Sequence, residues 1–304
     1  MNRFKKTFLA ISTALSLVAA SAIMADQHHA ESTGFTSTPL NSTMHLLQGK
    51  GGNIAVIEGK DGLVVIDAEY ASMSDALLAE LAQFGGADKL AYLINTHWHG
   101  DHTGGNHVLG HKTQIIAHDN VRTRLLTTQE IKMFNMVSEA YPSHALPSVT
   151  FDNRMTLHIN DETIELVHFA NGHTDGDTVI FLKNANIVHM GDHFFSGFFP
   201  FVDVEHGGNV VKLADNVKSI LSMIDDDTQV IPGHGPLSTK ADLEAFHTML
   251  LGTISEVQAM REDDLWLEEM REQGLSEQWD DWADGMLTTT AWIQIINSSL
   301  ENPN

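Results

Sequence analysis

His97-Trp98-His99-Gly100-Asp101-His102 packs three imidazoles and a carboxylate into six positions, directly after an apolar run that ends at Asn95. Neutral imidazole nitrogen and carboxylate oxygen are the ligands that zinc and other borderline divalent cations prefer. A chain with 18 histidines brings some of them together by accident. Partners elsewhere therefore decide between a solvated histidine-rich loop and a metal site. Three further loops offer them, each just after an apolar run: Asn171-Gly172-His173-Thr174-Asp175-Gly176-Asp177, His189-Met190-Gly191-Asp192-His193 and Pro232-Gly233-His234-Gly235. In each, glycine beside the candidate ligand lets the backbone turn tightly and approach a metal closely.

Around these loops the chain alternates short strands with helices. Apolar runs at 45–47, 53–58 and 63–67, split by Gly49-Lys50-Gly51-Gly52 and Gly59-Lys60-Asp61-Gly62, read as antiparallel strands after a polar leader through about Pro39. Ala76, Leu77, Leu78, Leu81 and Phe84 follow helical spacing over 74–84, with Gly85-Gly86 as the stop, and a strand over 90–95 delivers the histidine-rich loop. The second half repeats the vocabulary: strands at 155–159, 163–167, 178–182 and 187–190, a helix over 210–223, a strand at 229–231, and helix from about Lys240 onward. Two batches of strands, each followed by helices, predict a layered α/β sandwich whose loops converge on one edge.

The ordered set His97, His99, Asp101, His102, His173, Asp192 and His234 resembles the metallo-β-lactamase-fold hydrolase superfamily, over about residues 45–260. The resemblance implies an αββα sandwich of two mixed β-sheets flanked by helices. It also implies one metal on His97, His99 and His173, a second on Asp101, His102 and His234, and Asp192 bridging them. Two zinc ions are expected, with iron or manganese as the alternative in one or both sites. Two dications at close range repel and need a shared anion, which suits a carboxylate together with hydroxide. Such a hydroxide titrates far below bulk water and is a nucleophile near neutrality. Asp101 is the catalytic candidate, orienting that nucleophile and shuttling its proton.

Fold alone does not choose the substrate. Zinc β-lactamases that use a cysteine in the second site carry it where this chain has Asp192, and lack a counterpart of His102. They commonly place a lysine shortly afterwards to grip the drug's carboxylate, whereas His193, Phe194, Phe195 and Ser196 follow here. Lys183 and Lys212 could substitute only if the fold brings them near. The full ligand set is similar to glyoxalase II-like and lactonase-like members, although an acidic tail would repel an anionic glutathione thioester. The expected activity is hydrolysis of an ester, lactone, thioester or amide bond in a small molecule. A β-lactamase proper and a mononuclear iron-dependent sulfur dioxygenase are the alternatives.

Composition adds bounds. The 304 residues, 42% of them hydrophobic, can bury one large core with or without an appendage. Three regions are expected: a secretory signal peptide over 1–25, a hydrolase domain over 26–260 and a helical tail over 261–304. Arg3, Lys5 and Lys6 precede an uncharged stretch that is short of the roughly 20 residues a spanning helix needs, so no stable membrane insertion is expected after cleavage. Removing those three cations takes the formal charge from −23 to −26, which disfavours nucleic acid and anionic membranes as partners. A periplasmic or secreted location follows, and oligomeric state is left open. The absence of cysteine excludes disulfides, thiolate ligands and cysteine nucleophiles.

Several residues have two readings. His118 either caps a following helix or sits at the cleft edge, with the cap favoured. Asp67 either orients a ligand histidine or ends a turn. Phe194, Phe195, Phe198, Phe199 and Phe201 either line a substrate pocket or pack beneath a loop. His193 and His206 carry no assigned role. The stretch 261–282, rich in Glu, Asp and Trp, is expected to form an amphipathic helix that packs its tryptophans on the domain.

Overall fold

The computed structural model describes residues 34–302, and the expected signal peptide lies outside them. Seven strands form the first sheet: β1 (Thr36–Pro39), β2 (Met44–Gln48), β3 (Ile54–Ile57), β4 (Leu63–Ile66), β5 (Leu90–Ile94), β6 (Gln114–His118) and, after a separate hairpin of β7 (Gln129–Ile131) and β8 (Met136–Ser138), β9 (Val149–Phe151). Pairing is antiparallel from β1 to β4 and parallel from β4 through β5 and β6 to β9. The second sheet runs β10 (Arg154–Ile159), β11 (Glu162–His168), β12 (Thr178–Leu182), β13 (Ile187–His189), β14 (Gln229–Ile231) and β15 (Ser238–Thr239). Only its β13–β14 pair is parallel.

Strand periodicity makes the layers. Ala55, Ile57, Val64, Ile66, Ile94 and Ile116 of the first sheet meet Ile164, Leu166, Ile180, Leu182 and Ile231 of the second in one buried cluster. Their alternates Ile54, Val56, Val65, Leu93 and Ile115 point the other way, onto Leu77 and Leu81 of α1 (Ser74–Leu81). Each aliphatic side chain buried this way contributes about 1.5–3 kcal/mol. Short turns α2 (Gly100–Thr103) and α3 (Asn106–Leu109) and helix α4 (Asp119–Leu125) follow β5 and β6.

The outer face of the second sheet, through Val179, Phe181, Val188 and Val230, is covered by α5 (Val210–Leu221), α6 (Lys240–Glu262) and, after α7 (Leu267–Gln273), α8 (Thr289–Glu301). In α5, Val210, Leu213, Ala214, Val217 and Ile220 form a helical stripe, and Asn209 caps it by accepting from Val211 N and Lys212 N. The architecture is an αββα sandwich of two mixed sheets flanked by helices.

Three details differ from the sequence reading. Thr36–Pro39, read as part of a polar leader, is an edge strand. The 261–282 stretch is two short pieces, α7 and a 3-10 segment Glu277–Asp284, rather than one helix. Trp279 and Trp282 pack on the domain, but Trp266 is 77% exposed.

Candidate metal centre

Each of the four ligand loops leaves the C-terminal end of a strand: β5 for 97–102, β11 for His173, β13 for Asp192 and β14 for His234. The strands are ordered so that the loops meet. His97, His99, His173 and Asp192 form one group of donors, and Asp101, His102 and His234 form another, with the donor atoms of each group within 4.8 Å of one another. All seven residues singled out in the sequence converge.

Nitrogens face nitrogens here. His99 Nδ1 lies 3.1 Å from His97 Nε2 and 2.8 Å from His173 Nε2, and His102 Nε2 lies 3.4 Å from His234 Nε2. Tetrahedral ligation at about 2.0–2.1 Å gives donor separations of about 3.3 Å, so these spacings suit a shared cation. Asp192 stands between the groups. Its Oδ2 is 3.3 Å from His173 Nε2 and 3.5 Å from His234 Nε2, while Oδ1 is 3.0 Å from His102 Nε2 without a hydrogen bond. A buried carboxylate oxygen with no hydrogen-bond partner is costly unless something else claims it. The donor set fits divalent metal.

The far ring nitrogens are tied down, which aims the near ones inward. His102 Nδ1 donates to Asp67 Oδ2 at 2.7 Å. Thr96 Oγ1 also donates to Asp67 Oδ2, and therefore accepts from His97 Nδ1 at 3.0 Å. One buried carboxylate thus orients a histidine of each group, which settles the role of Asp67. His173 Nδ1 donates to the Phe201 carbonyl at 2.7 Å. His99 Nε2 donates to Asp203 at 3.0 Å, and His206 Nδ1 donates to the same carboxylate at 2.8 Å. The His234 loop is pinned by Asn53, whose Nδ2 donates to the carbonyls of Pro232 and Gly235. Gly233 is obligatory there, because a Cβ would stand 2.0 Å from Asp192 Oδ1.

Charge divides the two groups. Burial, aided by the proximity of His102, holds His97 well below its ordinary value, and burial brings His173 to about 4. Burial opposes charge on His102 and His234 too, but Asp192 and Asp101 outweigh it, raising His102 well above the usual range and His234 to about 9. Asp101 is lowered to about 2, since His102 and His234 overcome its desolvation.

A cavity of about 290 Å³ opens onto the donors. Asp101, Asp192, His99 and His234 form its floor, and Tyr70, Ile131, Phe134, Met136, Phe195, Phe201 and Met286 are among its walls. Phe195 lies against His234 with ring centroids 5.0 Å apart and planes 23° apart. Phe194, Phe195, Phe199 and Phe201 are all buried in the core cluster, and of these Phe195 and Phe201 also line the cavity. No lysine or arginine is among the described lining residues. Lys183 lies over the Phe181 ring, and Lys212 is on α5. His118 is the cap of α4, accepting from Asn120 N. His193 is buried at about 3, pressed down by desolvation, with Asn216 beside it.

Sequence reasoning missed Asp203, Tyr70, Phe134, Met136 and Met286. Asp203 is 104 positions from the His99 it orients, so no local spacing announces it. Met286 comes from the C-terminal stretch, well beyond His234, the last of the donors.

A family model described as the metallo-beta-lactamase superfamily matches residues 47–235. An uncharacterised protein from Aquifex aeolicus is 28% identical over 160 residues, covering 52% of this chain and 74% of that protein. An atrochrysone carboxyl ACP thioesterase from Aspergillus fumigatus is 24% identical over 213 residues, covering 67% of this chain but 41% of the relative's length. Among solved structures, a metallo-beta-lactamase from Pontibacter korlensis superposes with a TM-score of 0.57 at 17% identity, over 71% of this chain and 99% of that one. A stereoselective inverting sec-alkylsulfatase from Pseudomonas sp. reaches 0.64 at 15% identity, over 88% of this chain and 50% of that one. With the matched segment spanning all four ligand loops, the chain belongs to the metallo-beta-lactamase superfamily.

Proposed function

We propose that this protein is an exported two-metal hydrolase, with zinc as the expected ion, that cleaves an ester, thioester, lactone or amide bond in a small molecule. The observation that carries this reading is the position of Asp192, whose carboxylate reaches both donor groups, with Oδ2 near His173 and His234 and Oδ1 near His102. When bound, a pair of divalent cations supplies an activated water and polarises the substrate oxygen.

The residues then divide the work. Asp192 offers one carboxylate to both groups and offsets the repulsion between two cations. Asp67, Thr96 and Asp203 hold the imidazoles in the tautomers that present lone pairs inward. Asp101, ionised and 3.2 Å from His234 Nε2, lines the cavity and is the group that takes a proton from the attacking water and returns it to the leaving atom. Among the described lining residues, Tyr70 is the one side chain outside the donor set that carries a hydroxyl. Burial, reinforced by Asp101, raises its phenol well above the ordinary range, so it stays protonated and is available to donate to a substrate oxygen. The described lining residues include no lysine or arginine, which disfavours recognition of the β-lactam carboxylate.

The test is metal analysis of purified protein together with a panel of nitrocefin, thioester, lactone, aryl ester and phosphodiester substrates. Two equivalents of metal and turnover of an acyl substrate are expected. Two-metal protein that turns over nothing in the panel contradicts the reading.

A further inference from the structure

Four of the seven wall residues come from two segments that the ligand pattern does not involve. One is the β7–β8 hairpin, which belongs to neither large sheet. Ile131 and Met136 are cross-strand partners in it, and Phe134 sits in its turn, so the three share the side facing the donors. Their neighbours Glu130 and Val137, also paired, are exposed. Phe134 packs edge-on against Phe201 with centroids 4.8 Å apart, and Lys132 Nζ pairs with Glu205 at 2.7 Å, docking the hairpin onto the 201–205 loop. The other segment is the C-terminal stretch that brings Met286, 50% exposed, to the mouth. It is fastened by a hydrogen bond from Phe199 N to the Trp282 carbonyl.

We infer that the hairpin and Met286 form a clamp for the apolar arm of an uncharged substrate, making this enzyme selective for neutral lipophilic acyl compounds; this rests on the hydrolase reading above. Three observations meet in it. The walls are aliphatic, aromatic and thioether, surfaces that reward buried methylenes. The described wall residues include no lysine or arginine, so an anionic arm lying along them would lose its hydration without a partner. Ile131 and Phe201 also line a second cavity of about 660 Å³, so they form the partition that limits the length of the arm. Ile131 is thereby a specificity-determining residue.

Metal-loaded protein should be assayed on p-nitrophenyl alkanoates from acetate to octanoate, and on the hemisuccinate as the anionic counterpart of butyrate. Binding of unreactive methyl alkyl ketones of matching lengths should be followed by calorimetry. Both kcat/KM and ketone affinity should rise about threefold per methylene until the partition is met. The hemisuccinate should react at least about tenfold more slowly than butyrate. Ile131→Ala should move the preferred length upward by opening the partition, and Met286→Ser, at an exposed position that does not threaten folding, should flatten the slope. Turnover and ketone binding that are both indifferent to chain length, or a hemisuccinate as good as butyrate, would overturn the clamp while leaving the hydrolase reading intact. Ketones that bind with the expected slope to a protein that hydrolyses no ester, thioester or lactone would uphold the clamp and remove the hydrolase reading.

Discussion

At the scale of single residues, the centre depends as much on what holds the imidazoles as on the imidazoles. Asp203 accepts from both His99 and His206, and although burial opposes its charge these two donors keep its carboxyl well below the ordinary range. Asp203→Asn turns an acceptor-only group into one that can present N–H to His99 Nε2, which favours the wrong tautomer. Metal affinity at the His97, His99 and His173 group should fall about 10–100-fold, read by chelator competition, with the melting temperature of metal-free protein far less affected. Unchanged affinity would show that Asp203 does not orient His99. The donors themselves were legible in the sequence because ligand chemistry admits few residue types and the loops repeat them beside glycine. Asp67 was half-legible, since it ends the strand next to the one that delivers the ligands. Asp203 and Tyr70 were not, because their roles exist only once distant loops meet.

At the scale of elements, legibility follows burial pattern. Thr178–Leu182 and Gln229–Ile231 were read with their observed bounds, being apolar runs between clear turns. The central parallel strand Gln114–His118 was not read, because a strand covered on both faces lacks alternation. The hairpin strands are three residues each and include Gln129 and Glu130, too short and too polar to show a period. The C-terminal stretch is joined to α6 through Glu256, whose carboxylate accepts from Ser276 N, Ser276 Oγ and Trp279 Nε1. Desolvation is the largest single influence and opposes its charge, but these donors together outweigh it and lower its pKa from 4.5. A lowered folded value means stabilisation that is present above the unfolded pKa and lost as pH falls through the folded one. Glu256→Gln should therefore lower the melting temperature by about 2 °C at neutral pH, a modest effect for a half-buried group still screened by solvent. The gap between variant and parent should narrow below pH 4.5 and close once the pH has fallen past the lowered folded value. A gap that persists in acid would mean that packing, not these charged hydrogen bonds, secures the segment.

At the scale of the whole molecule, two sheets place four loops at one edge, the outer helices back those sheets, and the C-terminal stretch adds a wall to the cavity. The sandwich was legible because strand batches and helical stretches alternate along the chain. The closing of the cavity was not, since a hairpin and a distant methionine meet only in three dimensions. Everything chemical in this arrangement turns on one carboxylate shared by two donor groups. The measurement that addresses this most directly is the metal content of purified protein and of Asp192→Asn at saturating zinc, by elemental analysis alongside a melting curve. Two equivalents in the parent, falling to about one in a variant that still folds, with activity lost in step, is the predicted result. Two equivalents retained by Asp192→Asn, or a single equivalent in the parent, would contradict a metal pair bridged by Asp192.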